Sequence, residues 1–368
     1  MSMEFAVHPQ SSPVSEERRR EILADPGFGQ HFTDHMVSID WTRGGEGQQS
    51  GGTWHDARIE PFGPLSLSPA TAVLHYAQEI FEGLKAYRHE DGSVWTFRPQ
   101  ANAARMNRSA RRLALPELPE EDFLESLRLL VATDVEWVPD REGQSLYLRP
   151  FMYASEAFLG VRPAHEIAYK VIASPAGNYF GGELKPVSIW VSRDYARAGH
   201  GGTGAAKFGG NYAASLAAQL EASAQGCDQV LFLDPVRDNA VEELGGMNVF
   251  FVFKDGSLVT PELNGHILHG VTRSSVIELA KDRGLDVQER KITIDEWRDG
   301  VAAGDITEAF ACGTAAVITP IGELKADGWS IASPSAGSGD VAMSIRQELL
   351  GIQTGAVEDS RGWLTRLA

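Results

Sequence analysis

The chain has 368 residues, with 50 acidic and 33 basic residues and a formal net charge of −17 at pH 7. This length exceeds the usual size of one hydrophobic core and predicts two domains. The acidic balance opposes binding to nucleic-acid phosphates or anionic membrane surfaces, so we expect neither kind of partner.

Targeting and redox signals favour a soluble protein of the cytoplasm. Residues 1–17 are polar and rich in Pro and Ser, which predicts a disordered tail without the apolar core of a secretory signal. No later apolar run approaches the ~20 residues of a membrane span. Cys227 and Cys312 lie far apart and match no metal or disulfide spacing, so we expect no metal site and a reducing compartment.

Short strands and helices alternate over residues 18–174, which are predicted to form a smaller N-terminal α+β domain. Residues 85–96 have the pattern of a hairpin around an HEDG turn. Pro99 is predicted to occupy the first position of a helix that runs to about residue 113. Apolar spacing predicts a second helix over residues 121–137.

The stretch SPAGNYFGGELKP is dense in Gly and Pro, so the interdomain linker is placed at residues 175–186 and a larger C-terminal domain at residues 187–368. The elements predicted there are strands at 187–192, 229–233, 248–253 and 287–291, helices after Asn211 and at 274–283, and an apolar run at 310–318.

Lys207 stands in the most unusual local sequence, GHGGTGAAKFGGNY, between two clusters of glycine. A phosphate-binding P-loop needs Ser or Thr directly after its lysine, but Phe208 follows here, so that kind of nucleotide site is disfavoured. A lysine presented by flexible backbone before a helix can act as a Schiff-base nucleophile. A solvated loop lysine is the alternative by residue type alone.

Eight ordered motifs extend from about Phe28 to the C-terminus: FTDHM, HYAQEIFEGLKAYR, FRPQANAARMNRSA, SLYLRPF, KFGGNYAAS, EELGGMN, ILHGVTRSS and ACGTAA. Together they resemble the branched-chain aminotransferases among the fold-type IV pyridoxal-phosphate enzymes. The resemblance implies an α+β, fold-type IV architecture, with two α/β domains and the active site in the cleft between them. It also implies pyridoxal 5'-phosphate as the cofactor, bound mainly by the C-terminal domain.

By this resemblance Lys207 is the catalytic lysine that forms the Schiff base and moves the substrate proton. Glu243 matches the carboxylate beside the pyridine nitrogen, with the adjacent Glu242 as its rival, and Arg105 matches the phosphate-binding arginine. Tyr212 resembles the tyrosine that hydrogen-bonds the ring oxygen O3′. The remaining cofactor-binding positions implied are Leu268, Gly270, Val271, Thr272, Gly313 and Thr314.

An apolar pocket with few polar groups is expected for a branched aliphatic side chain. Arg149 matches the residue that meets the distal carboxylate of glutamate. Leu159 and Val161 resemble residues lent by a neighbouring subunit, which implies a homodimer with shared active sites. The other substrate-binding positions implied are Phe28, Tyr76, Phe81, Tyr147, Tyr179 and Ala315.

Two departures from the family pattern limit what the resemblance carries over. Gly246 stands where many relatives have Thr or Ser, so a hydroxyl near the cofactor or substrate is absent. Animal members have a Cys-x-x-Cys pair where this chain has Ala316 and Thr319, so no dithiol switch is expected there.

The implied activity is transamination of leucine, isoleucine and valine with 2-oxoglutarate by a ping-pong mechanism. Small amino acids and 2-oxo acids are then its ligands. Two alternatives stay open from the sequence. One is another fold-type IV enzyme, a D-amino-acid aminotransferase or aminodeoxychorismate lyase, and the other is a non-catalytic amino-acid-binding protein.

Overall fold

The computed structural model describes residues 3–44, 51–177, 185–334 and 339–368. Its α-helices are α1 (Glu16–Ala24), α2 (Val73–Tyr76), α3 (Pro99–Arg112), α4 (Glu120–Thr133), α5 (Gly209–Ala224), α6 (Val271–Asp282), α7 (Ile294–Ala303) and α8 (Asp340–Thr354). Its first strands are β1 (Ala6–Val7), β2 (His35–Arg43), β3 (Gly52–Pro61), β4 (Glu79–Phe81), β5 (Leu84–Arg88), β6 (Val94–Phe97), β7 (Ser145–Ala154), β8 (Glu166–Ala176) and β9 (Val187–Val191). The remaining strands are β10 (Gln229–Asp234), β11 (Ala240–Leu244), β12 (Asn248–Phe253), β13 (Leu258–Thr260), β14 (Val287–Glu289), β15 (Ile306–Gly313), β16 (Val317–Ala326), β17 (Trp329–Ala332) and β18 (Leu364–Arg366).

The chain divides into two compact units, and neither is continuous in sequence. Unit 1 comprises Met1–Gly181, Ala206–Gly209 and Ile352–Ala368, and unit 2 comprises Gly182–Ala205 and Gly210–Gly351. A single boundary at residues 175–186 therefore differs from this division in two places. Ala206–Gly209 and Ile352–Ala368 lie beyond the predicted linker but belong to unit 1, because their backbone hydrogen bonds join the strands of that unit.

Unit 1 contains a nine-stranded sheet in the order β1-β3-β2-β8-β7-β5-β6-β18, with β4 paired to β7. Helices α3 and α4 pack against each other beside it. α3 opens with Pro99 at its first turn, and α4 opens with three acidic residues that favour its N-terminal dipole. The apolar face of α4 buries Phe123, Leu127 and Leu130 in the core.

Several local predictions for unit 1 are confirmed. The hairpin predicted at residues 85–96 is β5 paired antiparallel to β6. The helix predicted from Pro99 is α3. The helix predicted over residues 121–137 is shorter, because α4 ends at Thr133 and a single 3-10 turn, Val135–Trp137, follows.

The N-terminal segment differs from the expected disordered tail. Within residues 3–17, β1 pairs in parallel with β3, and the N–H of Met3 donates to Asp122 Oδ1 at 2.6 Å. The N–H of Gln10 donates to His35 Nε2 at 2.9 Å, and Ser15 caps α1. Pairing at a sheet edge gives this polar segment backbone partners far away in sequence, which its composition alone does not reveal.

Unit 2 contains a second nine-stranded sheet in the order β11-β10-β9-β16-β15-β12-β13-β14, with β17 paired to β16. Helix α5 contributes Ala218 and Ala222 to a core cluster with Trp190, Val230 and Phe232. The strands predicted at 187–192, 229–233 and 248–253 are confirmed as β9, β10 and β12. The apolar run predicted at 310–318 spans the turn between β15 and β16. The helix predicted at 274–283 starts earlier, at Val271.

None of the helices in the described ranges is both long enough and apolar enough to cross a bilayer.

Candidate active site

Lys207 belongs to unit 1, although it is only two residues before α5. Its N–H donates to Ser109 Oγ of α3 at 2.9 Å, and its carbonyl accepts from the N–H of Phe81 at 3.0 Å. Its Nζ lies 4.6 Å from the centroid of the Phe81 ring. The lysine is half-buried and its backbone is held on both sides, so it is not a freely solvated loop lysine.

Arg105 and Glu82 form a buried ion pair in the same unit. Arg105 donates from Nε to Glu82 Oε1 at 2.8 Å and from Nη2 to Oε2 at 2.7 Å. Asn102 Nδ2 donates to the same carboxylate at 2.7 Å. Burial raises the pKa of Glu82, but the charge and hydrogen bonds of Arg105, with the charge of Lys207, hold that pKa below its usual range. The pair fixes the orientation of the predicted phosphate-binding arginine.

Four of the predicted substrate residues surround one another in unit 1. The guanidinium of Arg149 lies 4.9 Å from the ring centroid of Phe81 and 5.3 Å from that of Tyr147. Its Nη2 donates to Tyr147 Oη at 3.1 Å, and Phe28 packs edge-on against Tyr147 at 5.1 Å. Gly83 permits this arrangement, because a Cβ there would collide with Tyr147 Oη. The cluster combines aromatic walls with one guanidinium.

Glu242 and Glu243, both in β11 of unit 2 and both 2% exposed, have different partners. Glu243 Oε1 lies 2.7 Å from Arg197 Nη1 and accepts from the N–H of Leu268 at 3.1 Å. Glu242 Oε1 lies 2.6 Å from His266 Nδ1. Burial raises the pKa of Glu242, and His266 opposes that rise. Adjacent strand residues point to opposite faces, which explains the separation.

The N-terminus of α6 offers backbone N–H groups, and its N-cap residue makes no side-chain hydrogen bond to them in the part of the chain that the structure describes. Gly270 is the N-cap residue, and Val271 and Thr272, both buried, form the start of the helix. A Cβ on Gly270 would collide with Asn248 Oδ1, whose amide nitrogen donates to the carbonyl of Leu268 at 3.1 Å. The first N–H groups of a helix are a favourable site for an anion.

The motif ACGTAA forms the turn between β15 and β16. Gly313 pairs with Val317, and Thr314 and Ala315 lie half-buried between them. Elsewhere in unit 2, a ring carbon of Tyr212 lies 3.6 Å from where a Cβ on Gly246 would be. A side chain at position 246 would therefore contact the predicted cofactor-binding tyrosine.

The remaining substrate predictions lie at exposed positions or outside the described ranges. Tyr76, Leu159 and Val161 are exposed large side chains, with exposed fractions of 38%, 65% and 90%. The hydroxyl of Tyr76 donates to the carbonyl of Leu159. Tyr179, together with residues 178–184 of the predicted linker, lies outside the residues described.

Sequence reasoning missed three charged residues that contact this machinery. Glu82 binds Arg105, Arg197 binds Glu243, and Glu79 Oε1 accepts from the N–H of Gly209 at 2.5 Å. Glu79 and Glu82 both stand in the motif HYAQEIFEGLKAYR, which was the available signal. Arg197 precedes the glycine-rich loop and has no local signal, since its partner is far away in sequence.

Comparisons with known proteins agree with these features. The model of the amino-transferase class IV family matches residues 79–324. The branched-chain-amino-acid aminotransferase of Mycolicibacterium smegmatis is 56% identical over 99% of this chain and 98% of its own length.

Two solved structures have the same fold. The Escherichia coli branched-chain amino acid aminotransferase has a TM-score of 0.73 at 29% identity, covering 84% of this chain and 97% of that one. The branched-chain amino acid aminotransferase of Thermobaculum terrenum, solved in its PLP form, has a TM-score of 0.72 at 25% identity, covering 92% of this chain and 100% of that one. With a family match over most of its length and a relative above half identity, this chain belongs to the class IV aminotransferases, among the branched-chain-amino-acid aminotransferases.

Proposed function

We propose that the chain transfers amino groups from L-leucine, L-isoleucine and L-valine to 2-oxoglutarate, using pyridoxal 5'-phosphate in a ping-pong cycle. The observation that carries this proposal is Lys207, whose backbone is fixed by Ser109 and Phe81 and whose amine lies over the Phe81 ring. The Phe81 ring also contacts the guanidinium of Arg149, so an amine, an aromatic wall and a cation occur together.

The residues present fit this cofactor. Pyridoxal phosphate has an aldehyde, a phosphate and a basic ring nitrogen, which call for an amine, N–H or cationic donors and a carboxylate. Lys207 supplies the amine, while Arg105 and the uncapped start of α6 at Val271 and Thr272 supply donors for a phosphate. Glu243 supplies a buried carboxylate, and the charge of Arg197 at 2.7 Å stabilises its ionised form. When bound, the cofactor supplies an electron sink for charge that develops at the substrate α-carbon.

Each residue then has a defined part in the reaction. The amine of Lys207 takes the proton from the substrate α-carbon and later returns one to it. Glu243 keeps a negative charge oriented by Arg197 and Leu268. Tyr212 would hold the ring oxygen, and the Gly313–Ala315 turn would present N–H groups and a hydroxyl to an anionic group. Leu268 and Gly270 hold the loop that leads into α6.

Substrate recognition divides between an apolar and a charged part. Phe28, Phe81 and Tyr147 exclude water from an aliphatic side chain, and Arg149 pairs with the distal carboxylate of glutamate or 2-oxoglutarate. We further propose a homodimer in which Leu159 and Val161 contribute to the partner's substrate site. Their high exposure in the single chain supports this assembly.

The cytoplasm is the proposed location. Cys227 and Cys312 are both buried as free thiols, and burial raises the pKa of Cys312 to about 12, so that thiol stays protonated. Two unpaired thiols suit a reducing compartment.

The function is tested with purified holoenzyme and its Lys207→Ala variant. Wild-type protein should show a visible absorbance band that borohydride bleaches, and should convert L-leucine and 2-oxoglutarate to glutamate. Lys207→Ala should lose activity by roughly a thousandfold or more, because the nucleophile and the proton shuttle are both removed. Lys254→Ala is the control, since Lys254 is an exposed lysine paired with Asp305 in unit 2.

Near-normal turnover of Lys207→Ala would contradict the assignment of the lysine. Wild-type conversion of D-alanine without conversion of L-leucine would favour another fold-type IV enzyme. Binding of leucine without any product would favour an amino-acid-binding protein.

A further inference from the structure

Glu79 is a half-buried carboxylate with no part in the roles above. Its Oε1 accepts from the N–H of Gly209, two residues after Lys207, at 2.5 Å. β4 and β7 are antiparallel, and their register places Glu79, Phe81 and Arg149 on one face of the sheet, because side chains alternate along a strand. Glu79 therefore shares a surface with the guanidinium assigned to the distal carboxylate.

Positive charge accumulates on this face. Lys207 Nζ lies 4.6 Å and the Arg149 guanidinium 4.9 Å from the centroid of the Phe81 ring. Arg149 Nε is buried and has no hydrogen-bond partner among the described residues. Burial raises the pKa of Glu79, while the N–H of Gly209 and the charge of Arg149 act in the opposite direction. Glu79 and Arg149 thus interact electrostatically.

In a pocket that accepts both leucine and glutamate, the guanidinium of Arg149 meets two different substrates. With glutamate bound, the distal carboxylate is the counter-charge of Arg149. With leucine bound, the substrate supplies none, and a partly buried guanidinium without a counter-charge is costly. The carboxylate of Glu79, on the same face, stabilises the guanidinium when leucine is bound. When glutamate is bound, it repels the distal carboxylate of the substrate.

We propose that Glu79 determines specificity by acting as the resident counter-charge of Arg149, which favours aliphatic substrates over dicarboxylic ones. This inference rests on the proposed function, because it takes Arg149 as the group that binds the distal carboxylate. Its hydrogen bond to Gly209 also makes Glu79 a positioning residue for the segment that carries Lys207.

The test compares single-turnover half-reactions of the holoenzyme with L-glutamate and with L-leucine. Glu79→Gln keeps a carbonyl oxygen that accepts from Gly209 but removes the charge. It should raise the efficiency ratio of glutamate over leucine about 3- to 10-fold, the range for one partly buried charge interaction. Arg149→Met should lower the glutamate efficiency roughly 10- to 150-fold and affect leucine far less. In the double variant the Glu79→Gln change should no longer alter the ratio.

Two further variants separate charge from structure. Glu79→Ala removes the charge and also the hydrogen bond to Gly209, so both half-reactions should slow while the ratio of glutamate over leucine still rises as in Glu79→Gln. Glu125→Gln is the matched control, because Glu125 is a surface carboxylate on α4 that pairs with Arg128, and its ratio should equal the wild-type ratio.

The outcomes distinguish this inference from the proposed function. If wild-type enzyme converts both amino acids but Glu79→Gln leaves the glutamate-over-leucine ratio unchanged, the role of Glu79 is overturned. The same holds if Glu79→Gln still changes that ratio in the Arg149→Met background. Wild-type holoenzyme that converts neither amino acid overturns the proposed function, and this inference with it.

Discussion

Glu242 and Glu243 are neighbours of one residue type, yet their surroundings differ in charge. Glu243 faces the guanidinium of Arg197, whereas Glu242 faces the imidazole of His266, with Asp234 Oδ2 3.6 Å from the same ring nitrogen. Residue type and burial could not separate the two glutamates, and only the register of EELGGMN favoured Glu243. The partners now supply a physical reason to keep that prediction, because the guanidinium of Arg197 lies 2.7 Å from Glu243, whereas the nearest partner of Glu242 is the imidazole of His266.

We expect Glu243→Gln to lower turnover far more than Glu242→Gln. The first variant removes the charge that holds a protonated ring nitrogen, a charge-assisted interaction of about 1.5–3 kcal/mol, or roughly 10- to 150-fold in rate. The second keeps a hydrogen-bond acceptor for His266 and removes a carboxylate whose ionisation burial already disfavours. Steady-state rates with leucine and 2-oxoglutarate measure both. Equal losses would show that Glu243 has no special role.

A sequence motif can indicate single residues such as Lys207 and Arg105 as candidates for a site. It cannot indicate which residues they contact. Lys207 and Arg105 stand in recognisable motifs. The Arg105–Glu82 and Arg197–Glu243 pairs join residues from separate segments, so no local pattern indicates them. The same holds for Glu79, whose position beside Arg149 depends on the register of β4 and β7.

Helix α6 starts earlier than the sequence predicted. Ser274 stands at the predicted start and has the residue type of an N-cap. In the structure the hydroxyls of Ser274 and Ser275 donate back to the carbonyl of Val271, within the helix. The N-cap in the structure is Gly270, which has no side chain to cap the first N–H groups, and such groups are a favourable site for an anion.

Gly270→Ala should weaken cofactor binding more than it weakens folding. The added methyl group would displace the side chain of Asn248, which holds the carbonyl of Leu268 and so the backbone leading into α6. Loss of one such hydrogen bond costs about 0.5–1.5 kcal/mol, which corresponds to a 2- to 12-fold rise in the dissociation constant for pyridoxal phosphate. Titration of apoenzyme followed by absorbance measures it.

Gly199→Ala serves as the comparison, because among the described residues no atom beyond its two chain neighbours lies within 4 Å of the position where its Cβ would be. If Gly270→Ala and Gly199→Ala bind pyridoxal phosphate with equal affinity, the start of α6 tolerates the methyl group. The close approach of Asn248 to Gly270 is then unimportant for cofactor binding.

At the scale of the whole molecule, two residues of equal exposure offer a direct test of the proposed homodimer. Val161 in unit 1 and Val236 in unit 2 are each 90% exposed. If Val161 is buried against a partner subunit, Val161→Asp should raise the dimer dissociation constant roughly 100-fold or more. Each buried valine contributes about 1.5–3 kcal/mol, and an isologous interface contains two.

Sedimentation velocity across a dilution series reports the oligomeric state, and turnover at the same concentrations reports the shared sites. Val236→Asp should behave as wild type. If neither Val161→Asp nor Val236→Asp changes the dimer dissociation constant or the turnover, Val161 does not contribute to a shared site.

The general architecture was accessible from sequence because length and mixed strands and helices predicted two domains with an α+β pattern, and the ordered motifs resembled one family. The division of the chain was less accessible. Composition identifies a Gly- and Pro-rich linker, but it cannot show that Ala206–Gly209 or Ile352–Ala368 return to unit 1, since those assignments depend on hydrogen bonds to strands made much earlier. The edge strand β1 was missed for the same reason.

Because the C-terminal strand β18 pairs with β6, the folding of unit 1 depends on the order of translation. β18 pairs with β6, Leu367 enters the unit 1 core, and the carbonyl of Ala368 accepts from the N–H of Val94. A ribosome releases these residues only after all of unit 2 has been synthesised. Until then the growing chain has β6 as an exposed strand edge and an incomplete core in unit 1. Final closure of unit 1 therefore follows translation of unit 2, and during that interval β6 is the edge that chaperones or wrong partners would meet.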